Sequence, residues 1–202
     1  IGSYYSVSPG FTLNYETPTR IPILIGAYGP KLVGLAGEIA DEVKVGGSAN
    51  PGLVPIIRDR ITQGTDKVGR STREVGVVFG SVSIVDEDRK KAMDMARKKA
   101  LIYINVIGDK DPTIVRDYPE EILLIKRAMK RGDREGALRA LPDGLARRLT
   151  LAGSPRDVVR QAEELFAAGV QRIEFGTPHG AENELLGVEQ LAKKVFPHFR
   201  GR

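Results

Sequence analysis

A glycine-rich stretch that closes an apolar run is the part of this chain best equipped for chemistry. Residues 21–25 lead into Gly26-Ala27-Tyr28-Gly29-Pro30. Leu32, Leu35, Ala36 and Ile39 then recur at helical spacing, and Val43 and Val45 form a second short apolar run that ends in Gly46-Gly47. This pattern predicts strand, tight turn, helix, strand. Such a turn presents backbone N–H groups at a strand end and a helix start, where an anion can sit. Pro30 in the first helical turn gives up only an N–H the helix could not use. Glycine lets the backbone come close to a ligand. The spacing is neither the P-loop nor the G-x-G-x-x-G fingerprint. By itself the stretch therefore reads equally as a phosphate cradle and as an ordinary βα turn.

A second glycine-rich loop, Gly176-Thr177-Pro178-His179-Gly180, follows the apolar run over residues 170–175. Thr177 carries a hydroxyl that can donate to a phosphate or a polar ring. His179 is a possible polar contact or proton donor near neutral pH, although a lone histidine flanked by glycines is more commonly a surface residue. Two charges sit inside apolar runs. Lys44 either points into a functional interior or lies along the sheet edge with its ammonium in water. Glu174 is expected to pair with Arg172 or with Lys44 of a neighbouring strand. Lys31 adds charge to the first turn or is simply solvated. Asp41, at the start of the second strand, reads as structural. No residue is singled out as catalytic, no metal-ligand constellation is visible, and no Ser–His–Asp arrangement has support.

The elements that must position these residues alternate. Strands are predicted over residues 21–25, 43–45, 75–85 and 170–175. A helix over 51–68 has Asn50 as its cap and Gly69 as its stop. A long amphipathic helix starts at Asp86 and ends near Gly108. Residues 109–150 show no strand signal and predict a helical insertion, with helices near 119–131, 133–141 and 143–149. Ser154-Pro155-Arg156-Asp157 opens a helix that runs to Ala168, and a last helix covers about 184–195. Strand–helix units repeated four times predict an α/β fold with a parallel sheet, doubly wound or barrel-like. Glycine-rich loops at two strand ends suit a barrel's C-terminal rim. Residues 1–20 read as an extended arm or loop, and 21–202 as a single domain.

Composition narrows the function classes. The 202 residues hold 31 basic and 26 acidic side chains, for a net charge of +5, with no cysteine and no tryptophan. Disulfides and thiolate metal sites are excluded, which fits a cytoplasmic location. Basic residues are interspersed with acids on helices, as on a solvated face. Nucleic acid is therefore not an expected partner. No apolar run is long enough to span a membrane and none resembles a secretory signal, so no membrane partner is expected.

The segment IPILIGAYGPKLVGLAGEIADEVKVGG resembles the bacterial-luciferase-like flavin and deazaflavin oxidoreductases, and within them the archaeal methylenetetrahydromethanopterin reductases. Gly153-Ser154-Pro155 leading into VVRQAEELFAAGVQRIEFGTPHG is similar to that family's last helix–strand unit. The resemblance covers residues 21 to about 199. It implies a (β/α)8 barrel of which this chain supplies the second half, four parallel strands with their helices. It also implies coenzyme F420, a deazaflavin, as cofactor, with FMN as the alternative. The implied reaction is hydride transfer to or from a methylene-bearing tetrahydropterin. The family match casts Gly26, Ala27, Tyr28, Gly29 and Pro30 as the phosphate-holding turn. It casts Gly46, Gly47, Gly176, Thr177 and Pro178 as cofactor contacts at the same rim, and His179 as a weak substrate contact, while a plain chain reversal remains open for Gly46-Gly47. The first four strands are missing from the pattern, so the chain is expected to be a fragment or half of an oxidoreductase, inactive by itself. The alternatives are an FMN-dependent monooxygenase of the same family, or a catalytically silent half-barrel that self-associates through its open edges.

Overall fold

The computed structural model describes Gly10 and residues 20–200; the predicted arm over 1–20 lies almost wholly outside them. Among the described residues five strands form one parallel sheet: β1 (Leu24–Gly26), β2 (Glu42–Gly46), β3 (Gly76–Val85), β4 (Thr150–Gly153) and β5 (Arg172–His179). β1 pairs with β2 and places Gly26 opposite Lys44. β2 pairs with the first half of β3, from Glu42↔Gly76 to Gly46↔Gly80. β4 takes the second half of β3, from Val82↔Thr150 to Val85↔Gly153. β5 also pairs with β3, placing Glu174 opposite Gly80 and Gly176 opposite Val82. β3 is thus the hub, and its near-continuous Val/Ile run is what a strand covered on both faces requires.

The helices are α1 (Pro30–Ile39), α2 (Val54–Val68), α3 (Arg89–Ile107), α4 (Pro112–Asp117), α5 (Pro119–Lys130), α6 (Arg134–Arg139), α7 (Asp143–Leu149), α8 (Pro155–Ala167) and α9 (Glu184–Gln190). Side chains alternate across a strand. Val43, Val45, Val77 and Phe79 pack with Val33, Ala36, Ile57 and Ile61 in one core beneath α1 and α2. Glu42, Lys44, Gly46, Gly80, Glu174 and Gly176 consequently face the other way. A second core unites Val82 and Ile84 with α3–α7 through Leu101, Ile104, Ile114, Ile125, Leu145 and Leu149. The insertion is therefore seated on the distal half of β3.

Local signals set most helix ends. The Asn50 side chain accepts from the Gly52 N–H at 3.1 Å, ahead of a 3-10 turn that runs into α2, and Gly69 closes α2 at φ 69°. Ser154 and Asp157 form a reciprocal capping box at α8. α1 and α2 press together so closely that a Cβ at Gly64 would stand 1.9 Å from the Gly34 carbonyl oxygen. Buried Asn50 also donates to Asp111 (2.7 Å) and Thr113 (2.6 Å), tying the insertion to the loop after β2.

Several predicted boundaries shift. Asp88, not Asp86, caps α3, accepting from the Lys90 and Lys91 N–H groups. The insertion ends in a strand, β4, that its sequence did not announce. At four residues it is too short for periodicity, and only its fit against Val82–Val85 defines it. The last strand runs Arg172–His179 rather than 170–175. The final helix gives way after Gln190 to a wider turn over Leu191–Val195.

Candidate functional site

The turn after β1 is built as a helix entrance. Gly29 caps α1 without any side-chain bond, Pro30 occupies the first position, and the Val33 N–H donates to the Gly29 carbonyl at 3.0 Å. Not every N–H of the turn is free. Ala27 spends its own on the Lys44 carbonyl at 2.9 Å, and Pro30 has none. The N–H groups of Tyr28, Gly29, Lys31 and Leu32 have no acceptor among the described residues. They are the orphan donors expected where a helix begins. Arg60 fixes the turn from behind by donating to the Tyr28 carbonyl at 2.7 Å. The Tyr28 hydroxyl is buried, with Ser48 nearby but no well-formed hydrogen bond. Burial, and then the Asp111 carboxylate, push its pKa up. It stays protonated.

Gly26, Gly29 and Gly46 share an unusual property. None has a left-handed backbone, and a Cβ built at any of them meets nothing within 4 Å. Among the described residues, neither conformation nor packing demands glycine there. The space these glycines leave opens onto two adjoining cavities at the strand ends. One, of about 560 Å³, is lined by Gly26, Tyr28, Gly29, Lys44, Gly46 and Lys110 among others. The other, of about 380 Å³, is lined by Lys44, Gly46, Gly80, Tyr103, Glu174 and Thr177 among others. Gly47 lines the second cavity too, but for a different reason. Its φ is 72°, and a Cβ would strike the Tyr103 ring at 2.4 Å. Its glycine is required by the fold.

Lys44 belongs to both cavities. Its ammonium pairs with Glu174, which also meets Arg172 at 3.2 Å, and Arg172 reaches Glu42 at 2.6 Å. Both expected partners of Glu174 are therefore present. Gly176 and Thr177 line the second cavity. Pro178 and His179 line neither. His179 lies beyond the rim with φ 68°, its Nδ1 2.9 Å from Ser83 Oγ. Ser83 donates its one proton to the Gly176 carbonyl at 2.8 Å, so Nδ1 of a neutral His179 carries the proton and Nε2 is left as acceptor. Exposed Lys31 makes no ion pair among the described residues. Asp41 accepts from the Ile23 N–H (2.7 Å) and Arg20 (2.6 Å), pinning the approach to β1, and these bonds hold its carboxyl below the usual range.

Gly80, Tyr103 and Lys110 were not singled out by sequence reasoning. Gly80 had a signal, since an isolated glycine inside a strand marks close approach by a neighbour. Tyr103 and Lys110 had none, because they reach the site only through the docking of α3.

The sequence matches the luciferase-like monooxygenase family over residues 2–172. The chain belongs to this family. Among curated luciferase-like relatives it is 32% identical over 182 residues to the 5,10-methylenetetrahydromethanopterin reductase of Methanopyrus kandleri, covering 89% of this chain and 51% of that protein. The Archaeoglobus fulgidus enzyme of the same name is 27% identical over 190 residues, covering 91% and 56%. The solved structure of the coenzyme F420 dependent tetrahydromethanopterin reductase from Methanopyrus kandleri superposes with a TM-score of 0.76 at 29% identity, over 89% of this chain and 51% of that one. The chain spans about half the length of these luciferase-like relatives. The α/β fold with its parallel sheet is the one they share. Among the described residues no helix is long and apolar enough to cross a membrane, and no cluster of His, Cys, Asp and Glu is fit to hold a metal ion.

Proposed function

We propose that this chain is the cofactor-anchoring half of a deazaflavin-dependent oxidoreductase, with residues 21–202 as one barrel-half unit. The observation that carries this reading is the trio Gly26, Gly29 and Gly46, whose missing side chains leave room that nothing among the described residues fills. Glycine costs backbone entropy in a strand, and a ligand that must lie against the backbone accounts for it. The orphan N–H groups of Tyr28, Gly29, Lys31 and Leu32 suit the cofactor's phosphate. Gly46, Gly80 and Gly176 line the approach for a flat ring, and Lys44 supplies positive charge beside it. When bound, the deazaflavin supplies the hydride chemistry, with a methylene-bearing tetrahydropterin as the substrate class. The protein's part is to hold, orient and screen from water.

Titration of the chain with oxidised coenzyme F420, followed by its fluorescence, tests the assignment. Saturable binding with FMN competing poorly supports it. Preferential FMN binding favours a flavin monooxygenase of the same family, and no binding of either ends the cofactor reading.

One observation favours a second, non-enzymatic reading. Ile21 and Ile23 are exposed just ahead of β1, Leu32, Leu35 and Ile39 along α1, and Leu185, Leu186 and Val188 along α9. Apolar stripes of this kind call for a cover. The missing barrel half covers them in the leading reading; a second copy covers them in a silent half-barrel. Light scattering that shows a stable dimer without cofactor affinity supports the latter.

A further inference from the structure

A third cavity, of about 360 Å³, opens between the loop after β2, α4, α7 and α8, and shares no lining residue with the two at the strand ends. Its charged lining is Arg116, Arg147, Arg148 and Arg160 against Asp117 and Glu164. Asp117 is already committed, accepting from Arg116 at 2.6 Å and from Arg148 at 2.7 Å. Arg148 also donates to the Thr113 carbonyl and stacks over the Tyr118 ring at 5.1 Å. Arg160 is held by Asp157 at 3.0 Å. Arg147 stands apart. Its Nε is fully buried without a hydrogen-bond partner, and its guanidinium makes no ion pair among the described residues.

A guanidinium offers a rigid fork of donors that matches the oxygens of a phosphate. The positive excess in the cavity favours an anion over a cation or a neutral ligand, and the volume admits a phosphate with a small substituent. We propose that this cavity is a second anion site that takes a phosphate group. Arg147 holds it from the buried side, and the more exposed Arg116 and Arg160 close on it from the solvent side. The site lies apart from the cofactor cavities and stands or falls independently of the cofactor reading.

Calorimetric titration of the chain with inorganic phosphate and, separately, glycerol 3-phosphate, at constant ionic strength, tests this. Beside any binding at the turn after β1, a saturable component is expected whose affinity is at least about tenfold weaker in Arg147→Met, since loss of a charge-assisted donor pair is worth that much. The Met variant keeps an apolar stem in place of the arginine's. Arg160→Gln changes an exposed side chain and is expected to weaken binding about threefold with the fold untouched. Lys44→Met leaves this affinity unchanged. Tighter binding of glycerol 3-phosphate identifies an esterified ligand, and tighter binding of phosphate a free anion. The proposal is overturned if neither probe saturates, if Arg147→Met and Arg160→Gln bind as the parent does, or if Lys44→Met alone abolishes binding.

Discussion

Lys44 and Glu174 meet across Gly80. They come from β2 and β5, strands that do not pair with each other and that flank β3 on either side. A Cβ at Gly80 would stand 3.0 Å from Lys44 Cε and 3.7 Å from Glu174 Cβ. The absent side chain is what lets the two charges reach one another over the middle strand. The pair is about one-third exposed on both sides, where ion pairs contribute little to stability.

Lys44→Met should therefore change the free energy of unfolding by less than about 1 kcal/mol in urea denaturation. The same variant should bind coenzyme F420 about tenfold more weakly, the worth of one charge-assisted contact. A large stability loss would show that Lys44 serves the fold instead.

Gly46→Val separates packing from ligand space more sharply. Among the described residues nothing stands within 4 Å of the new Cβ, and the backbone is not left-handed, so thermal unfolding should move by no more than about 0.5–1 kcal/mol. Cofactor fluorescence titration should show affinity reduced at least about tenfold, some 1.4 kcal/mol, because the side chain enters the space both cavities share. Unchanged affinity would remove Gly46 from the site.

Gly64→Ala probes the opposite kind of glycine. The methyl would collide with the Gly34 carbonyl oxygen at 1.9 Å and force α1 from α2. Overpacking of this kind costs about 1–3 kcal/mol or more, to be read from denaturant midpoints. Because α1 carries the Gly26–Pro30 turn at its N-terminus, cofactor affinity should fall with stability.

Asp117 sets an acid-side signature. Hydrogen bonds from Arg116 and then Arg148 lower its pKa to about 2, against about 3.9 in an unfolded chain. A carboxylate whose folded pKa is depressed favours the folded state above the unfolded value, and that contribution disappears as pH falls through the folded one. The effect should thus fade between about pH 4 and pH 2. Carboxyl carbon NMR should place the Asp117 midpoint near 2, and Asp117→Asn should flatten the stability profile in that window only.

Much of the local architecture was legible because its causes lie within a few residues of chain. The Asn50 cap, the Ser154–Asp157 box and the Gly69 stop each close on neighbours two to four positions away. The Gly26–Pro30 turn was visible in the same way, as an apolar run, two glycines and a proline. β4 was not legible, because four residues carry no period and acquire strand geometry only by pairing with Val82–Val85.

The sequence by itself determined the alternation of strands and helices, the helix entrance after β1, and the presence of two charges within apolar runs. Only the tertiary structure decided which glycines leave open space. Gly46 and Gly47 are adjacent and chemically identical, yet the first faces open cavity space and the second is pressed against Tyr103. It also decided that Lys44 finds Glu174, 130 residues away. The physical reason is register. A parallel sheet places neighbours by strand order and crossover, and the side that each residue faces follows from pairings made far along the chain.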